Sequence, residues 1–191
     1  MSEDLAAELR QLHLELAGRM RERWDRDLPF ADLISDRWQR AEALGFEAGA
    51  SIYESSYIYG DVTVGANTWI GPFTMLDGSG GLAIGDWCSI SAGVHIYTHD
   101  TVAWAVSGGR VPAQRSLVSI GSYTYIGSQV VVASGVRIGD HCVIGAGSFV
   151  NRSIPPFSVA VGSPCRVVGR VELAPSGEVT LIYDRDRPEQ T

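Results

Sequence analysis

Branched apolar residues recur in this chain every six residues, and few folds can use such a pattern. They stand at Ile52, Ile58, Val64, Ile70 and Leu76. After a two-residue slip they resume at Ile84, Ile90 and Ile96, and they run again at Ile120, Ile126, Val132, Ile138, Ile144 and Val150. A helix repeats about every 3.6 residues and a strand about every 2, and neither generates this spacing. The residue after the apolar one is often glycine, as at Gly65, Gly71, Gly85, Gly121, Gly127, Gly139 and Gly145. The fourth residue after it is small or apolar, as at Thr68, Thr74, Cys88, Val94, Val130, Cys142 and Ser148. Self-similarity at a fixed period marks a solenoid.

The physical reading is direct. Each hexad supplies one short strand and one corner, and three hexads close a triangular coil. The branched residue points inward and stacks on its equivalent one coil away, about 4.8 Å along the axis. The glycine is expected to relax the corner. Backbone groups pair with the coils above and below, so the prism satisfies its own hydrogen bonds.

Two breaks in phase stand out. Asp77-Gly78-Ser79-Gly80-Gly81 adds a two-residue bulge. Residues 98–117 drop the pattern, yet Ile96 and Ile120 remain a multiple of six apart. That segment reads as a loop thrown out from the prism, and loops on rigid scaffolds often carry function.

The ends differ from the middle. In residues 1–48 Leu5, Leu9, Leu12, Leu16, Met20 and Trp24 form one helical stripe, expected to pack on the next element. Ser2 is the expected N-cap, and the helix should stop before Pro29. A second helix is expected through Leu33, Ile34, Trp38, Ala41 and Leu44, closed by Gly45. Residues 49–170 form the solenoid. Residues 171–191 hold a hairpin and tail, with strands Val167 to Val171 and Val179 to Tyr183 turning around Ser176-Gly177, and DRDRPEQT is expected to be disordered.

Composition narrows the function. A formal net charge of -7 with no basic run argues against nucleic acid and anionic membrane as partners. The start MSEDLAAELR does not read as a signal peptide, and no apolar run is long enough to span a bilayer. Cys88, Cys142 and Cys165 are odd in number and widely spaced, which suits reduced, buried thiols in the cytoplasm.

The stretch IGDWCSISAGVHIYTHD, a loop, and then IGSYTYIGSQVVVASGVRIGDHCVIGAGSFVNRSIPPFSVAVGSPCRVVGR resembles the hexapeptide-repeat O-acetyltransferases. The likeness is to the galactoside, maltose and serine acetyltransferase branch and its relatives acting on surface-polysaccharide sugars. It covers about residues 51–170. It implies a left-handed parallel β-helix, a homotrimer with sites between adjacent prisms, acetyl-CoA as cosubstrate, and one histidine on or beside the extruded loop as general base.

Of four histidines, His13 lies in the N-terminal helix and His141 in a regular turn. The family histidine follows a stretch that reads here Gly93-Val94-His95-Ile96-Tyr97-Thr98-His99. This favours His99 as the base, with His95 the alternative. An imidazole can take the proton of an attacking hydroxyl and return it to the departing thiolate. Asp77 and Asp100 are candidates to fix the imidazole tautomer or bind sugar hydroxyls, and each also suits a turn. Trp104 in the loop is a candidate sugar platform, and Trp69 reads better as packing between subunits.

By the same resemblance, coenzyme contacts fall at Ser128, Gly145, Ala146, Asn151, Arg152 and Arg166. Small residues suit the pantetheine arm and arginines suit phosphates. The family usually has Thr-Lys where this chain has Asn151-Arg152, and the galactoside branch has Asn where Gly71 stands. Three other readings remain at this stage: a sugar-nucleotide N-acetyltransferase, a γ-type carbonic anhydrase binding zinc through His95, His99 and His141, and a non-catalytic scaffold. The expected acceptor is a sugar or sugar-nucleotide hydroxyl.

Overall fold

A computed structural model describes residues 3–184. The expected N-cap at Ser2 and the tail beyond Asp184 lie outside the described residues. The chain is a left-handed parallel β-helix with three faces. On the first face Ser51–Ile52, Trp69–Ile70, Ser89–Ile90, Tyr125–Ile126 and Val143–Ile144 pair in parallel, and Ser158–Val161 completes the stack. On the second face Leu76, Ile96, Val132 and Val150 align, and on the third Ile84, Ile120 and Ile138 do so. Every residue of the six-residue rows except Ile58 is buried, most of them completely, and Ile58 is partly buried against the same core. Burying a side chain of this size contributes about 1.5–3 kcal/mol, so the repeated rows are the main source of stability.

The glycines of the hexad work differently from the corner expectation. The left-handed backbone falls two residues later, on Asn67, Trp87, Tyr123, His141 and Phe157 along the edge joining faces three and one. The glycines instead admit the next coil. A Cβ on Gly127 would stand 2.6 Å from the Ala146 nitrogen, and one on Gly71 2.8 Å from the Ala92 nitrogen. Close backbone approach therefore selects glycine here, not its φ freedom.

Both phase breaks take physical form. Tyr57–Val64 pairs with Met75–Ile84, with Gly60 opposite Gly78 but Val62 opposite Leu82, which places the two extra residues in the bulge. After Ile96 the chain leaves the prism as a ribbon, His99–Asp100 antiparallel to Gln114–Arg115, and returns at Val118 to complete the coil.

At the N-terminus helix α1 (Glu3–Trp24) is followed by α2 (Phe30–Ile34) and α3 (Arg37–Ala43) rather than by one second helix. Asp36 causes the division: its Oδ1 accepts from Trp38 N at 2.9 Å and Gln39 N at 3.0 Å, starting a new helix. Gly45, at φ 76, follows the last turn as expected. The α1 stripe is only partly covered. Ala17 is buried and His13 meets Phe30, but Leu5, Leu12 and Trp24 remain exposed.

At the other end Ser158–Val161 pairs antiparallel with Arg166–Leu173, which pairs with Val179–Tyr183, so the hairpin extends the first face. The short helix α4 (Val102–Val106) lies in the extruded ribbon. Among the described residues no helix is long and apolar enough to cross a membrane. All three cysteines are buried and unpaired. Burial pushes each thiol above its ordinary pKa, which leaves it unreactive.

Candidate active site

The site is built on the edge between faces two and three, where the bulge and the ribbon emerge. Asp77 sits at the start of the bulge and is 3% exposed. Its Oδ1 accepts from Ser79 N at 3.0 Å. Its Oδ2 accepts from Thr98 N at 2.8 Å, Thr98 Oγ1 at 3.3 Å and His99 Nδ1 at 2.6 Å. Burial alone would push this carboxyl up. The hydrogen bonds from the Ser79 side chain and backbone, the Thr98 backbone and the His99 ring outweigh it and hold the group well below the usual carboxylate range.

An ionised carboxylate only accepts, so in the neutral imidazole the proton sits on Nδ1 and the Nε2 lone pair stays available. The His99 side chain is 39% exposed and Ser79 Oγ lies 3.3 Å from its Nδ1. Thr98 fastens the ribbon at its root. Its Oγ1 accepts from Gly80 N at 2.8 Å and its carbonyl accepts from Ser116 N at 2.8 Å.

His99 opens onto a cleft of about 470 Å³ that is also lined by Tyr59, Met75, Asp77, Ser79, Tyr97 and Arg115. Tyr97 stands between the two candidate histidines, edge-on to both rings. His95 lies on face two, level with Met75 and Val131, and its Nδ1 is 3.3 Å from the Tyr97 hydroxyl. It has no carboxylate partner among the described residues. Asp100 turns away from the cleft, its Oδ1 accepting from Val102 N at 2.6 Å. Trp104 is half exposed and borders a second cleft with Arg110, Gly109 and Pro112. Trp69 meets Tyr53 edge-on within the chain. His141 is stacked between Tyr123 and Phe157, 4.7 Å from each, on the edge joining faces three and one, apart from His95 and His99.

The residues assigned to the coenzyme divide between two edges. Ser128, Gly145 and Ala146 form neighbouring coils of the edge between faces one and two, where Gly147 N donates to the Ser128 carbonyl. Arg166 follows on the same edge, opposite Val161, with its Nη1 donating to the Cys165 carbonyl at 2.7 Å. Asn151 and Arg152 are exposed on the next edge, in the same column as the ribbon that carries His99.

Sequence reasoning missed Thr98, Ser79 and Arg115. Ser79 was within reach, since it lies inside the flagged bulge. Arg115 carried no such signal, since only the register of the ribbon brings it opposite His99.

The model described as bacterial transferase hexapeptide (six repeats) matches residues 118–152. The galactoside O-acetyltransferase of Escherichia coli (strain K12) is 34% identical over 131 residues, which are 57% of this chain and 64% of that protein. The chain thus spans a little under two thirds of that curated relative. Among solved structures, galactoside acetyltransferase in complex with coenzyme A superposes with a TM-score of 0.62 at 28% identity, covering 89% of this chain and 84% of the other. A maltose O-acetyltransferase from Clostridium difficile 630 gives 0.56 at 26% identity, covering 89% and 90%.

Proposed function

We propose that this chain is a hexapeptide-repeat acetyltransferase that transfers an acetyl group from acetyl-CoA to a hydroxyl of a sugar or sugar-nucleotide, with His99 as general base. The observation that carries the reading is the 2.6 Å contact between His99 and the buried Asp77, at the mouth of a cleft on a rigid prism. The coenzyme-bound state of the galactoside acetyltransferase supports the choice of cosubstrate.

The acceptor hydroxyl loses its proton to His99 Nε2 as its oxygen attacks the thioester carbonyl. The new C–O bond forms, the C–S bond breaks, and the proton passes from the imidazole to the departing sulfur. Asp77 holds the ring and stabilises the imidazolium that forms between these steps. A backbone N–H of a glycine-rich corner would stabilise the oxyanion. Arg152 and Arg166 would meet the coenzyme phosphates, and Ser128, Gly145 and Ala146 its pantetheine arm. Asn151 lies beside Arg152 and would join the same contacts.

The division of these residues between two edges supports a homotrimer as the working assembly. A whole face separates the Ser128–Arg166 edge from the edge that carries His99, so neighbouring prisms would complete each site. The free, buried thiols suit a cytoplasmic setting. The test is coenzyme A thiol release from acetyl-CoA across sugars and nucleotide sugars, run beside His99→Ala. Release that the variant retains in full would reject His99 as the base.

A further inference from the structure

We propose that the acceptor carries an anionic group, a carboxylate or a phosphate, which Arg115 holds beside the hydroxyl that is acylated. This rests on the acyl-transfer reading of the site and adds the substrate class.

The ribbon register carries the argument. His99 and Arg115 are direct partners in the antiparallel pair. Directly opposed residues project from the same side of a ribbon, with Cβ atoms about 4.5–5.5 Å apart. Both side chains line the same cleft. A group bound by the guanidinium therefore lies within one sugar ring of an oxygen placed at His99.

Charge supplies the second argument. Among the described residues the Arg115 guanidinium has neither a hydrogen-bond nor an ion-pair partner. Arg40, by contrast, engages Glu54 and the Ser56 carbonyl, and Arg170 engages Glu172. The one carboxylate lining the cleft, Asp77, is buried and fully used by Ser79, Thr98 and His99. Guanidinium geometry suits bidentate capture of carboxylate or phosphate.

Space agrees. The cleft shares Thr101 and Ala113 with the second cleft, of about 610 Å³, that Trp104 and Arg110 border. One trough thus runs from the reacting hydroxyl past Arg115 to an aromatic platform, long enough for an acceptor larger than one sugar.

The experiment measures thiol release by the full chain with acetyl-CoA and three acceptor sets: neutral hexoses, the matching uronic acids, and the matching hexose 1-phosphates. The charged sets separate carboxylate from phosphate as the source of the anion. At least one charged set should exceed the neutral hexoses. Arg115→Gln should cut kcat/KM for it about 10- to 100-fold, largely through KM, with Arg115→Lys intermediate. Thermal melting of both variants checks that the fold is kept. Neutral hexoses used as well as the charged sets, or a charge preference that survives Arg115→Gln, overturns the proposal and leaves acyl transfer standing. Silence in all three sets, with acetyl-CoA still bound, overturns both.

Discussion

His99 Nδ1 lies 2.6 Å from Asp77 Oδ2, and that carboxylate is otherwise held by the backbone of Ser79 and both donors of Thr98. The bulge and the root of the ribbon thus meet at one buried group, and the imidazole is oriented by the prism rather than by its own loop. His99→Ala should lower kcat about 10²–10⁴-fold, the usual worth of a positioned base. Asp77→Asn should lose a sizeable part of that factor while KM for acetyl-CoA stays unchanged. A loss that appeared only in KM would show that the pair binds substrate and does not orient a base.

The same carboxylate makes the fold sensitive to acid. Its folded pKa is depressed, so its contribution to stability is complete above the ordinary aspartate value of about 3.9 and is lost as pH falls below it toward the folded value. Melting temperature against pH should show wild type more stable than Asp77→Asn near neutrality. The gap should narrow steadily below about pH 4. A gap of constant size would mean that the charge of Asp77 is not what stabilises the junction.

Two glycines should respond in opposite directions to alanine. Gly127→Ala sets a methyl 2.6 Å from the Ala146 nitrogen, where the neighbouring coil's backbone cannot withdraw. It should cost about 1–3 kcal/mol, as overpacking does. Gly18→Ala meets open space within α1 and should stabilise by about 0.5–1 kcal/mol. Denaturant midpoints decide both. A neutral Gly127→Ala would remove the close-approach account of the hexad glycine.

The prism was legible because its rows obey one rule from Ile52 to Val150, and that rule fixes which residue faces inward without any knowledge of the rest. The bulge and the extruded segment were legible as interruptions of it. The corner chemistry was not, since the left-handed residue is as often Tyr123, His141 or Phe157 as glycine, and only the stacked backbone reveals why. The division of the second helix depended on one side chain, Asp36, choosing to cap. At the site, His99 and Asp77 were each visible, but their pairing joins residues a full coil apart, and Arg115 enters through a ribbon register with no periodicity to announce it.

His99 stands on the edge between faces two and three, and Arg166 ends the edge between faces one and two. If the coenzyme lies between prisms, each site takes the imidazole from one chain and the arginine from its neighbour. His99→Ala and Arg166→Ala homo-oligomers would then each be impaired at every site. A mixed oligomer would contain interfaces where the chain lacking Arg166 offers an intact His99 to a chain with an intact Arg166. Unfolding and refolding the two variants together should therefore restore part of the wild-type thiol-release rate, up to about one site per mixed trimer. Refolding each alone should restore none. The absence of any gain in mixtures shown by mass to contain both chains would place the complete site within a single prism.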